Sequence, residues 1–151
     1  MKPRVFRLAF AALFIAAAAS AQTAPFAVSK CDPETVTFSN VRLPQAVLAN
    51  GKALAAGTYQ VRITTERPTP AVGQSANAEC WIEFVKTGVV AGREVASVVS
   101  TEDIGTVAKG PAPKPSTSRV DVLDVLKEGE YLRIWMNRGG THYIVNMPVA
   151  R

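Results

Sequence analysis

The stretch YLRIWMNRGGTHYIVNM, residues 131–147, decides the fold. Two runs of alternating polarity flank Gly139-Gly140, and such a pair favours a tight hairpin turn because glycine adopts positive φ without steric cost. A turn centred on the two glycines sets only apolar pairs on one face: Leu132 with Met147, Ile134 with Val145, and Met136 with Tyr143. A slip of one residue would mix the two faces, so the pattern predicts both the hairpin and its register.

The opposite face of this hairpin is the strongest candidate for a ligand-binding surface. Its members are aromatic, amide, imidazole and guanidinium side chains: Arg133, Trp135, Asn137, His142 and Asn146. An exposed Trp ring can stack on a sugar, while amide and guanidinium groups hydrogen-bond the hydroxyls of that sugar. The alternative is packing, in which the long loop 101–118 covers Trp135, and Asn137 with His142 form an ordinary cross-strand pair.

Strand signals continue through the rest of the chain. Short β-branched or aromatic runs separated by turn residues recur at 35–38, 59–64, 80–85 and 120–126. About seven strands of this kind predict an all-β fold, a single antiparallel β-sandwich that is immunoglobulin-like or transthyretin-like.

The connections between these strands are less regular. Stretches rich in proline or glycine predict long loops near 66–79 and 101–118. Residues 43–56 could hold a short helical turn, but their Asn-Gly-Lys centre favours a loop.

The segment 89–99 pairs less clearly with the strand before it. Gly92 predicts a β-bulge. Either simple register sets Glu94 near an apolar face. Trp81 would add to the binding surface, but its face depends on the same register.

The first 21 residues predict a cleaved secretory signal. A basic start is followed by the apolar run 8–19 and by Ala19-Ser20-Ala21, the small-x-small pattern that precedes cleavage. A membrane anchor is less favoured because a spanning helix needs about 20 apolar residues. Cleavage would leave an extended leader, 22–33, and a domain, 34–151, exported to the periplasm or the extracellular space without stable membrane insertion.

Charge and composition exclude one class of partner. Three of the 17 basic residues and none of the 12 acidic residues lie in the predicted signal, so the formal charge falls from +5 to +2 after cleavage. The remaining charges are interspersed and form no basic cluster. Nucleic acid is therefore not expected as a partner.

Two cysteines, Cys31 and Cys80, remain after the predicted cleavage. Disulfides persist outside the cytoplasm, and two cysteines allow one intramolecular pairing. We predict a structural disulfide between them; two separately buried thiols are the alternative.

Motifs for catalysis are sparse. His142 is the one histidine of the chain, and no nucleophile motif surrounds any serine, whereas triads and metal-dependent hydrolases need a positioned base or several ligands. Without a phosphate loop or a cofactor fingerprint, we expect no catalytic residues, no metal, no cofactor and no enzymatic activity.

Residues 54–62, Leu54-Ala55-Ala56-Gly57-Thr58-Tyr59 followed by Gln60-Val61-Arg62, resemble a strand opening of the form LPAGTY-V. That opening is common in secreted bacterial β-sandwich modules of the transthyretin-like and fibronectin-like kinds. The resemblance implies a fold and no catalytic residues, and Ala55 replaces the usual Pro.

These observations predict an exported, non-enzymatic binding or structural module that recognises a glycan or an envelope protein. One alternative is self-assembly, as a subunit of an extracellular filament or envelope assembly in which residues 22–30 and free sheet edges allow strand addition. A small secreted hydrolase is the second alternative.

Overall fold

The computed structural model describes residues 31, 35–73, 78–125 and 129–151. The predicted signal and, apart from Cys31, the predicted leader lie outside these ranges. Within them the chain forms nine strands and one helical turn: β1 (Val36–Leu43), β2 (Val47–Ala49), β3 (Lys52–Leu54), β4 (Gly57–Ile63), β5 (Glu79–Lys86), β6 (Val89–Ser100), α1 (Ile104–Val107), β7 (Thr117–Val125), β8 (Gly129–Arg138) and β9 (Thr141–Pro148).

Seven strands form one antiparallel sheet in the order β1-β4-β5-β6-β9-β8-β7, and β2 with β3 forms a second, small sheet. The edge strands β1 and β7 lie close to each other, so the large sheet curls around one buried cluster. The all-β, antiparallel prediction is confirmed. The sandwich arrangement is not confirmed, because the seven strands belong to a single hydrogen-bonded sheet.

The C-terminal hairpin has the predicted register. Leu132 pairs with Met147, Ile134 with Val145 and Met136 with Tyr143, and all six are fully buried. Both turn glycines have positive φ, 57° at Gly139 and 93° at Gly140. The apolar pattern of one face was therefore sufficient to fix the pairing.

The β2–β3 hairpin closes one end of the curled sheet, called here the hairpin end. Its Val47, Ala49 and Leu54 are buried in the main core. Asn50 and Gly51, with φ values of 46° and 75°, form a tight turn of the kind that Asn-Gly favours. The prediction of a loop across 43–56 was wrong, because the Asn-Gly pair is itself a hairpin signal.

The bulge predicted at Gly92 is present, since the β5–β6 register shifts after the Phe84–Gly92 pair. Glu94 lies opposite Ile82 on the inner side of the sheet. Its carboxylate accepts hydrogen bonds from the backbone N–H of Asn50 at 2.6 Å and of Val95 at 2.9 Å. The carboxylate thus fixes the β2–β3 turn to β6 instead of remaining unpaired in the core.

The opposite end, called the disulfide end, carries the predicted Cys31–Cys80 bond. The two Cα atoms are 5.9 Å apart, within the ordinary range for a disulfide. Cys80 is fully buried at the start of β5, so the bond ties the chain ahead of β1 to the core.

The 54–62 segment forms the corner between β3 and β4. The Tyr59 hydroxyl donates to the Ala55 carbonyl at 2.8 Å, which closes the corner, while the ring packs edge-on against Phe84. A Cβ on Gly57, where φ is 150°, would lie 3.2 Å from the Lys86 ammonium. The glycine therefore leaves room for a lysine that crosses the start of β4.

No helix in the described ranges is long and apolar enough to cross a bilayer.

Candidate functional site

The structure brings together all five residues of the predicted hairpin surface. Arg133 lies opposite Asn146, Asn137 opposite His142, and Trp135 opposite Ile144. These pairs lie on the outer side of the sheet, away from the main core.

Trp135 is nevertheless buried, with 1% of its surface exposed. The 101–118 connection contains α1, and Ile104 and Ala108 from this region pack with Trp135, Val99 and Ile144 in a second apolar cluster. Of the two interpretations of this face, packing under the 101–118 connection is confirmed for Trp135, because Ile104 and Ala108 cover the indole; an exposed Trp135 platform is not present. In this arrangement Trp135 contributes to packing.

Polar neighbours of Trp135 are satisfied inside the protein. The indole Nε1–H donates to Nδ1 of His142 at 3.1 Å, so the imidazole is neutral there and carries its proton on Nε2. Burial lowers the pKa of His142 from its ordinary value, because a buried imidazolium loses hydration. His142 therefore acts as an acceptor for the indole.

Asn137 holds the covering loop in place. Its amide nitrogen donates to the Pro113 carbonyl at 2.8 Å, and its amide oxygen accepts from the Gly140 N–H at 3.2 Å. Arg133 donates from Nε to the Asn146 side chain at 2.9 Å on the exposed part of the hairpin. A ligand-binding role for these residues stays a prediction.

The second outward-facing tryptophan has different surroundings. Trp81 pairs with Val95 and points away from its buried neighbours Cys80 and Ile82. It is partly exposed, and the guanidinium of Arg93 lies 5.1 Å from its ring centroid. Such stacking is a favourable cation–π contact.

Charged side chains of alternating sign surround Trp81 and Arg93. Arg62 donates from Nε and Nη2 to one carboxylate oxygen of Glu83, at 2.8 and 2.5 Å. Arg93 contacts Glu66 at 2.5 Å through Nη2, and its Nε lies 3.6 Å from the other oxygen of Glu83. The five residues are named the Trp81 face: Arg62, Glu66, Trp81, Glu83 and Arg93.

One hydrogen-bond donor of the Trp81 face has no partner within the described ranges. The Nε of Arg93 is buried and has no hydrogen-bond partner among the described residues, because Glu83 is beyond hydrogen-bonding distance. Glu83 itself is only 16% exposed in its side chain. The arginine is thus held on the indole by two carboxylates without satisfying all its donors.

No family model, curated protein or solved structure matches this chain. The resemblance of residues 54–62 to secreted β-sandwich modules therefore stays a prediction.

The sequence analysis missed the charged part of the Trp81 face. The signal was available in the alternation of the strands, because Arg62 and Glu83 occupy the polar positions between buried residues of β4 and β5. What prevented its use was the unresolved register of β6, on which the position of Arg93 depends. In the described ranges, no group of three His, Cys, Asp or Glu residues could hold a metal.

Proposed function

We propose that the mature chain is an exported, non-enzymatic binding module and that its binding surface is the Trp81 face. The observation that supports this most strongly is the partly exposed Trp81 ring, held under Arg93 on an open side of the sheet. Trp and Arg are the residues that most often dominate binding energy in protein interfaces. They are also suited to a ligand that offers both an apolar face and hydrogen-bonding groups.

A glycan is the favoured ligand class. The Trp81 face offers one aromatic ring and several charged donors and acceptors that are already ordered by their ion pairs. A protein interface normally has a larger apolar centre. A pyranose needs only one ring for stacking, and its hydroxyls can exchange hydrogen bonds with guanidinium and carboxylate groups.

Export is the other part of this proposal. A buried Cys31–Cys80 disulfide fits an oxidising compartment, and the N-terminal pattern of the sequence has the form of a secretory signal. The sandwich architecture suggested by the 54–62 segment belongs to the same proposal.

Fluorescence of the two tryptophans provides the test. Residues 22–151 would be titrated with a panel of neutral and acidic polysaccharides, in the native sequence and in the Trp81→Ala and Trp135→Phe variants. We expect a saturable change that Trp135→Phe retains and Trp81→Ala loses while remaining folded by circular dichroism.

Two outcomes would overturn the proposal. Saturable binding that survives in folded Trp81→Ala would remove the Trp81 face as the binding surface. A flat response to the whole panel would remove glycans as the ligand class and leave a protein partner as the alternative.

A further inference from the structure

A row of outward-facing residue pairs runs along β4 and β5 from the Trp81 face toward the hairpin end. Arg62 pairs with Glu83, and the next outward-facing pair is Gln60 with Val85. Gln60 and Arg62 alternate with the buried residues of β4, so their side chains lie on the same outer surface. The row therefore continues the Trp81 face along the two strands.

A pocket of about 290 Å³ lies where this row ends, between β1, β4 and the β5–β6 turn. The register of β1 shifts between Phe38 and Val41, which takes Ser39 and Asn40 out of the pairing with β4. Hydroxyl and amide residues make up most of the lining: Ser39, Asn40, Thr58, Gln60 and Thr87. These groups both donate and accept hydrogen bonds, as the hydroxyls of a sugar require.

The charges of this surface favour an uncharged ligand. Both arginines of the Trp81 face are paired with its two glutamates, so that face has no net charge. Lys86 also borders the pocket, but its ammonium lies over the ring of the inward-facing Tyr59. An acidic ligand at the Trp81 face would have to displace a glutamate from its arginine, whereas a neutral ligand would not.

The distance along the row favours a chain of sugars over a single sugar. Trp81 and Val85 are four residues apart on β5, which corresponds to about 13 Å. This is longer than one pyranose ring, so a ligand that contacts Trp81 reaches the pocket only through further linked sugars. Because the row follows the strands, an extended chain fits it better than a coiled one, and β-1,4-linked glycans are extended.

We propose that this surface binds an extended, neutral, β-1,4-linked glycan, with one sugar stacked on Trp81 and a sugar farther along the chain in the pocket. The amides of Asn40 and Gln60 exchange hydrogen bonds with the hydroxyls of the sugar in the pocket. The inference rests on the proposed function, because it takes Trp81 as the stacking residue. It adds the charge, the linkage and the minimum length of the ligand.

Calorimetry with ligands of graded length tests this inference. The protein comprising residues 22–151 would be titrated with cello-oligosaccharides and xylo-oligosaccharides of increasing length. In one or both series we expect the affinity to rise about tenfold once the chain reaches the pocket, the effect of one or two additional hydrogen bonds. Hydroxyethyl cellulose and carboxymethyl cellulose, a neutral and an acidic polymer of the same linkage, test the charge, and the neutral polymer should bind at least as tightly.

Variants then locate the increase with length. Gln60→Met removes the amide but keeps a side chain of similar length, and Asn40→Gly removes the amide but tolerates the positive φ of 59°. Each should abolish the increase while leaving the affinity for the shortest oligosaccharide that binds unchanged. Gln45→Met and Asn50→Gly make the same changes outside this pocket and should retain the increase. Trp81→Ala should weaken binding at every length.

The failures of the two proposals are distinguishable. Affinity that is independent of length, an increase that persists in both Gln60→Met and Asn40→Gly, or tighter binding of the acidic polymer would overturn the extended neutral site. So would failure to bind either series. In each of these cases Trp81-dependent binding of another polysaccharide in the panel would keep the proposed function, whereas a flat response to the whole panel would overturn both.

Discussion

Trp81 and Trp135 are the same residue type on the same side of one sheet, yet only Trp135 is sealed from solvent. The difference comes from the connections that pass near them. The β6–β7 connection brings Ile104 and Ala108 onto Trp135, whereas the β4–β5 connection brings Glu66, whose carboxylate binds Arg93 beside Trp81. The burial of an outward-facing aromatic residue is thus decided by the chemistry of a loop and not by the strand that carries it.

The two regions also differ in how many of their polar groups have hydrogen-bond partners inside the protein. Around Trp135, the indole and both functional groups of the Asn137 amide have partners inside the protein. On the side of Trp81, the Nε of Arg93 has no hydrogen-bond partner among the described residues, and Thr87 in the β5–β6 turn has a positive φ of 50°. Local departures from good packing are expected where a surface serves binding.

Alanine at each tryptophan should produce the largest contrast. Trp135→Ala removes a buried ring and should lower the free energy of unfolding by about 3–5 kcal/mol. Trp81→Ala removes a partly exposed ring and should lower it by about 1 kcal/mol. Urea denaturation of both variants measures the difference, and equal losses would contradict the distinction drawn between the two regions.

Uncovering Trp135 should give an intermediate effect. Ile104→Ser takes an apolar side chain off the indole and should destabilise by about 1–2 kcal/mol. Acrylamide quenching of Trp135 fluorescence in a Trp81→Phe background should rise with this change. The exposed Val107→Ser is the control within the same helix, and an equal rise there would show that α1 does not act through Ile104.

The free energy of unfolding should also depend on pH, because His142 is buried beside Trp135. Burial lowers the pKa of His142 in the folded protein, so the unfolded chain binds more protons once the pH falls below about 6.5. The free energy of unfolding should therefore decrease between about pH 6.5 and 5. His142→Gln offers an amide oxygen to the Trp135 N–H without titrating, so a pH dependence unchanged in this variant would assign the effect to other groups.

The sequence was informative where one face of a strand pair is apolar throughout. Leu132, Ile134 and Met136 identified the C-terminal hairpin because a slip of one residue would have paired them with polar positions of the other strand. The sequence was less informative where a contact between distant segments decides whether a side chain is buried or hydrogen-bonded. Nothing in the strand pattern shows that Ile104 reaches Trp135, or that Glu94 turns to the Asn50 N–H, since both contacts join segments far apart in the chain.

The smallest expected effect is an increase in stability on the side of Trp81. Thr87 and Gly88 form a turn with φ values of 50° and 80°, close to the 46° and 75° of Asn50 and Gly51. Thr87→Asn places a residue that tolerates positive φ at the strained position and should stabilise by about 0.5–1 kcal/mol.

Asn50→Thr is the converse change, which introduces the strained residue into the β2–β3 turn and should destabilise by a similar amount. Thermal unfolding of both variants measures the two changes. A Thr87→Asn variant that is no more stable than the native protein would show that the positive φ of Thr87 costs the β5–β6 turn no stability, and that the two Xaa-Gly turns are equally relaxed.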